Sequence, residues 1–147
     1  MMGVNMLDYE IVLKIHEKQT AVWNEFKNAL SNSDYLTVEK LFFEKYENRK
    51  DMLSFIEMCF TKAILAKDKK MVSLLLAFGL KPNKGTLGNN NGQAYNIKIL
   101  NKHFVGCQQR GHFDFDFFDF LIESGFKFGN TAHGKEQKLQ YQNMKIS

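Results

Sequence analysis

At 147 residues, 44% hydrophobic and 14% aromatic with 14 phenylalanines, the chain can bury one sizeable core, which excludes general disorder and leaves little room for a second independent domain. Its net charge of +4 is too mild to define a partner by itself. No apolar run is long enough to span a bilayer and the first eight residues lack the charged and apolar regions of a secretory signal, so the expectation is a soluble, cytoplasmic protein with no membrane partner.

Residues 7–30 place Leu7, Ile11, Val12, Ile15, Val22, Trp23, Phe26 and Leu30 at the three-and-four spacing of one buried helical stripe, with Asp8 as a candidate cap. The polar run 17–20 leaves open whether this is one helix or two. A turn at 31–34 follows, where Ser33 or Asp34 can accept from the free N–H groups of a helix over 35–46. A second helical pair is expected over 51–66 and 71–78. Gly79 supplies its left-handed C-terminal cap, and Pro82 forbids continuation. The stretch 84–93, with three glycines and three consecutive asparagines, has no apolar stripe and is read as a flexible exposed loop. A third pair is expected over 94–107 and 114–124, ending at Gly125. The polar tail 130–147 is either frayed or a short terminal helix.

The helix ends repeat. Gly79 lies 33 positions after Tyr46, and Gly125 lies 46 after Gly79. The run Leu74-Leu75-Leu76-Ala77-Phe78-Gly79-Leu80-Lys81-Pro82-Asn83 resembles the second helix and exit turn of an ankyrin repeat, and residues 38–46 and 118–125 resemble it more weakly. The resemblance covers residues 31–130, between an N-terminal helical segment (1–30) and the C-terminal tail (131–147). It implies an all-α fold, a helix-turn-helix repeat stack with an inserted loop between the second and third units. The first-helix signature Thr-Pro-Leu-His of the family is absent; counting back from the glycines puts Phe60 and Ala63, then Phe104 and Cys107, at its leucine and alanine positions, once two extra residues are allowed near 110–113. Without that hydrogen-bonded cap the register between neighbouring units loses one of its determinants, and an irregular stack is expected.

Residues that could carry chemistry have simpler roles. His112, Asp114 and Asp116 have metal-ligand chemistry but sit where a helix should begin, so the carboxylates are read as helix-start residues favoured by the macrodipole. His103 and Cys107 share a helix face at i, i+4 without a third orienting group, and core packing is the expectation. Cys59 and Cys107 are read as two buried thiols rather than a disulfide. No phosphate-binding glycine loop is present. The chain is therefore expected to be non-enzymatic, with no cofactor, no metal and no small-molecule substrate.

Between positions 62 and 102 stand Lys62, Lys67, Lys69, Lys70, Lys81, Lys84, Lys98 and Lys102 against Asp68 alone, while 113–123 carries Asp114, Asp116, Asp119 and Glu123 without a basic residue. This dipolar pattern suits a protein partner of complementary charge. The functional expectation is a protein-binding module that captures one protein partner through loops and the concave helix face, in its most concrete form an inhibitor or toxin-immunity protein. The candidate binding residues are Lys81, Lys84, Asn89, Asn90, Asn91, Gln93 and Tyr95 on the inserted segment, with Arg49 and Lys50 on the preceding loop. The alternative is a nucleic-acid-associated protein that uses the lysine stripe to neutralise phosphates.

Overall fold

A computed structural model describes residues 6–83, 86–90 and 93–146, the segments 86–90 and 93–97 by their backbone. Helices dominate. Among the described residues they are α1 (Met6–Ser31), α2 (Tyr35–Leu41), α3 (Leu53–Leu65), α4 (Lys69–Ala77), α5 (Ile99–Arg110), α6 (Phe115–Glu123) and α7 (Ala132–Ile146). Strands β1 (Thr86–Asn90) and β2 (Gln93–Ile97) form one antiparallel pair between α4 and α5. No helix among the described residues is long and apolar enough to cross a membrane.

Helix α1 runs unbroken through the polar positions 17–20, which resolves the open choice in favour of one helix. Three helical hairpins follow from it: α1 with α2, α3 with α4, and α5 with α6. Each second helix starts on an aspartate whose side chain accepts from a backbone N–H three residues on, satisfying one of the helix's orphan donors. The pairs are Asp34 with Thr37 (3.3 Å), Asp68 with Met71 (3.0 Å) and Asp114 with Phe117 (3.1 Å). The tight turns before the first two caps require positive φ at Ser33 (58°) and Lys67 (51°). In the third hairpin Gly111 takes that conformation (φ 68°) three residues before Asp114, which is where the two extra residues go.

Exits from α4 and α6 match bond for bond. Gly79 N–H donates to Leu76 O (3.0 Å) and Leu80 N–H to Leu75 O (3.3 Å), while Gly125 N–H donates to Ile122 O (3.0 Å) and Phe126 N–H to Leu121 O (3.0 Å). Both glycines sit at positive φ, 99° and 105°, where a Cβ is strained. The first hairpin has no such glycine. Its second helix continues instead through a widened π turn (Phe42–Tyr46) and a 3-10 turn (Glu47–Arg49), which carries Tyr46 into the core and puts Arg49 beside it.

The register between hairpins has local causes. Asp68, besides capping α4, accepts from Ser33 Oγ (2.5 Å) and Tyr35 Oη (2.9 Å), so the second turn is tied to the first. Burial pushes the Asp68 carboxyl up, but bonds from Ser33, the Met71 N–H, Tyr35 and the Lys70 N–H outweigh it and hold the group below its ordinary range. Lys67 pairs with Asp114 at 3.4 Å, tying the third turn to the second. These contacts join each turn directly to the next.

Inside, one core cluster runs from Phe26 to Tyr141. Phe26, Phe60 and Phe104 are fully buried at equivalent places in the three first helices, and the small residues Ala29, Ala63 and Cys107 follow each by one turn. Between elements the core is aromatic: Phe42 stacks on Phe78 (4.7 Å), Phe60 meets Phe126 edge-on (5.1 Å), and Phe118 stacks on Tyr141 (4.4 Å). The polar tail is thus ordered as α7, docked through Tyr141, Gln137 and Gly134.

The reading of the segment between the second and third helical pairs is corrected. The segment read as a flexible loop is a hairpin over most of its length, with Asn90 paired to Gln93 and Thr86 to Ile97, and the helix expected from Ala94 begins at Ile99 instead. The physical reason is in the sequence. Asn91-Gly92 falls between the paired residues, and Asn-Gly is the strongest short signal for a two-residue hairpin connection.

Candidate protein-binding surface

The nominated residues fall into separate places. Arg49 packs its guanidinium over Trp23 (5.5 Å to the ring centre) and Tyr46 (5.3 Å), a cation on two aromatic faces. Lys50 lies exposed beside Gly79, and Lys81 is exposed just beyond it. Asn89 and Asn90 belong to β1, Gln93 and Tyr95 to β2, with Tyr95 opposite Gly88 and Asn89 opposite Ala94. Lys84 and Asn91 lie outside the described residues. The structure therefore gathers Lys50 and Lys81 near one exit turn, sets Arg49 against Trp23, and gathers four others on the β hairpin.

The lysine stripe is largely committed within the chain. Lys67 pairs with Asp114, Lys102 with Glu57, and Lys98 donates to the Asn83 carbonyl; Lys70 lies 4.5 Å above Tyr35 and Lys69 5.5 Å from Phe120. Asn83 itself clamps the second exit to the third, donating to Gly125 O (2.7 Å) and accepting from the Lys127 N–H (2.8 Å). At the acidic end Asp119 accepts from Tyr141 (2.8 Å) and pairs with Lys145 (2.7 Å). Among the described residues, Lys67–Asp114 is the ion pair that joins the lysine stretch to the acidic one, and the other contacts hold their side chains locally.

His103 and Cys107 do approach, with Nε2 3.6 Å from Sγ, and Arg110 donates to the same sulfur at 3.5 Å. Burial, with the charges of Arg110 and Lys67, lowers the His103 pKa to about 4, and the ring stacks on Phe118 at 5.3 Å. Burial raises the Cys107 thiol despite Arg110, and burial alone raises Cys59. A neutral imidazole beside a protonated thiol under a phenylalanine is a packed pair, not an activated nucleophile. Both cysteines are free, and no group of three metal-ligating side chains occurs among the described residues.

What the sequence reading missed lies on α1. The stripe that buries Phe26, Ala29 and Leu30 continues toward the N-terminus on the same side of the helix, but the body does not follow it. Tyr9, Ile11, Val12, Leu13 and Ile15 are each 41–58% exposed, a concentration of large apolar side chains that scattered surface residues do not produce. Where the bare stripe meets the body, a groove of about 670 Å³ opens, lined by Ile15, Val22 and Trp23 on α1 and by Lys45, Tyr46 and Arg49 across from it. Lys18 and His16 stand on its rim, and no carboxylate lines it. The signal was available as length. Twenty-six residues of helix run about 39 Å, and a second helix and its extension ending at Arg49 can cover only part of it.

No family model, curated protein or solved structure matches this chain. The reading of the surface rests on its own geometry.

An exposed apolar helix face that runs into a basic, aromatic groove has the composition of a docking site. It offers buried area from the isoleucines and valine, aromatic anchors in Trp23 and Tyr46, and a guanidinium already oriented by stacking.

Proposed function

We propose that the chain is a non-catalytic, cytoplasmic protein-binding module, an ankyrin-like stack of helical hairpins that captures one protein through the outer half of α1 and its basic groove. The observation that carries the reading is the bare outer half of α1, where Ile11, Val12 and Ile15 continue the stripe that the fold buries further on and Tyr9 and Leu13 flank them, all five large apolar side chains exposed to water. Arg49 belongs to this surface, and the β hairpin with Asn89, Asn90, Gln93 and Tyr95 supplies a second contact. An inhibitor or immunity role, in which a small chain covers its partner's working surface, is the concrete form of this reading.

The test is capture of partner from native lysate at moderate salt by tagged wild-type chain and by the double variant Ile11→Asp, Ile15→Asp. Burying each isoleucine is worth about 1.5–3 kcal/mol, so the variant should lose at least about tenfold in affinity. Its thermal unfolding should fall only slightly, because both side chains are about half exposed, 49% and 52%. Undiminished capture by the folded variant would remove α1 from the binding surface.

A further inference from the structure

We propose that a groove between the third exit turn and α7 binds the phosphate backbone of a single-stranded nucleic acid, a ligand separate from the protein held at α1. The lysines that suggest phosphate in the sequence are engaged elsewhere: Lys67, Lys98 and Lys102 are bonded within the chain, and Lys69 and Lys70 lie over aromatic rings. The fold gathers a different set. One groove of about 580 Å³ is lined both by Lys127, two residues past Gly125, and by Lys135, Lys138 and Lys145 of α7, all four exposed. Asp119 is the carboxylate in its lining, and it is taken by Lys145 and Tyr141. Lys127, Lys135 and Lys138 have no ion-pair partner among the described residues, so the groove keeps three uncompensated positive charges.

The placement follows from the helix period. Positions 135, 138, 142 and 145 recur at the three-and-four spacing of one face, so Lys135, Lys138, Gln142 and Lys145 form a row about 15 Å long beside the buried face that carries Gly134, Gln137 and Tyr141. Glu136, the acid of α7, is turned about 100° or more from each of those lysines and does not line the groove; Leu139 likewise stands outside it. Both walls are fixed. The Lys127 N–H donates to Asn83 Oδ1 (2.8 Å), and α7 is seated by the Asn101–Gln137 bond (2.6 Å) and by Tyr141 on Phe118. The chemistry of the row selects phosphate. Arginine, whose fork matches a single carboxylate, is absent from it, whereas a series of point charges on flexible stems suits an anion repeated along a chain. Its concave form accepts one strand running along α7, as in grooves that track a single-stranded backbone.

The experiment is fluorescence anisotropy of a labelled oligo(dT) of about 12 nucleotides, titrated with the full chain to about 200 µM at salt from about 50 to 200 mM. Three phosphates neutralised at about −0.7 each give an expected slope of log K against log salt near −2, so affinity should fall roughly twentyfold across that range. Lys135→Gln with Lys138→Gln removes two of the three charges and should bring the slope to about −0.7, with the circular dichroism of the wild type because both side chains are exposed. Lys69→Gln with Lys70→Gln makes the same change in net charge away from the groove and should leave the slope where it was. A duplex of the same length should bind more weakly, and polyglutamate of matched charge should not displace the strand. No binding at about 50 mM salt overturns the proposal, as does an equal loss in the two double variants. Duplex bound as tightly as single strand overturns it as well. Displacement by polyglutamate would assign the groove to an acidic protein segment instead.

Discussion

Phe118→Ala is expected to lower stability by about 3–5 kcal/mol, the range for deleting a buried phenylalanine that leaves a cavity its neighbours cannot close. Few side chains in the molecule join so many elements. Phe118 is fully buried on α6 and stacks on Tyr141 of α7 (4.4 Å), on His103 of α5 (5.3 Å) and on Phe128 in the connecting segment (5.9 Å), with Phe104 edge-on at 6.2 Å. Truncation removes contacts on four sides and uncovers one face of the His103 ring. Since small domains hold only about 5–15 kcal/mol in total, the variant should be close to unfolding at 37 °C. Urea titration followed by circular dichroism checks it. A loss below about 1 kcal/mol would mean that the third hairpin and α7 do not share one core. Phe43→Ala is the control, because Phe43 is 49% exposed and rests mainly on Phe42 and Phe78.

Gly134→Ala should destabilise although helix propensity says the opposite. In an isolated helix alanine is better than glycine by about 1 kcal/mol, so a substitution acting only through α7 would stabilise. Here a Cβ on Gly134 would press on the Gly129 carbonyl oxygen and stand 2.9 Å from its carbon, and these are backbone atoms that cannot rotate away. The helix must therefore lift. Lifting it breaks the buried bond from Asn101 Nδ2 to Gln137 Oε1 (2.6 Å), disturbs the Gly129 N–H bond to Asn101 Oδ1 (2.7 Å), and separates Tyr141 from Phe118. The expected cost is about 2–3 kcal/mol, with amide exchange accelerated over 132–146 and little changed in α3 and α4. A more stable variant would show that α7 is not seated as described.

Much of this fold was legible because its punctuation is chemical. Gly79 and Gly125 end their helices at positive φ, and the sequence reading places Asp34, as one of two candidates, and Asp114 at the starts of theirs, whereas it does not single out the cap at Asp68. The displacement of two residues in the third turn could be counted from Gly125 alone. Two features were harder to read. The docking of α7 depends on Gly134, Gln137 and Tyr141 in an otherwise polar helix, a set too sparse to form a stripe. The hairpin depends on Asn91-Gly92, a signal that was masked by its setting in a run of asparagines.

The binding surface was legible in part. Arg49 was reached as a loop cation, but its role comes from stacking on Trp23, twenty-six positions earlier, which only the folded hairpin brings near. The apolar stripe of residues 7–30 was visible in full. Periodicity shows which face a helix would bury and not how far the rest of the protein extends to bury it, and so the bare half of α1 was assigned to the core.

The measurement that tests the central claim most directly is photocrosslinking from single positions on the full chain in native lysate. A photoreactive phenylalanine is placed in turn at Val12 on the bare stripe, at Leu36 on α2 and at Leu139 on α7, all exposed apolar positions on different elements. The account predicts one discrete crosslinked species from Val12 and none from Leu36 or Leu139. A discrete species from Leu139 or Leu36 with nothing from Val12 would contradict it.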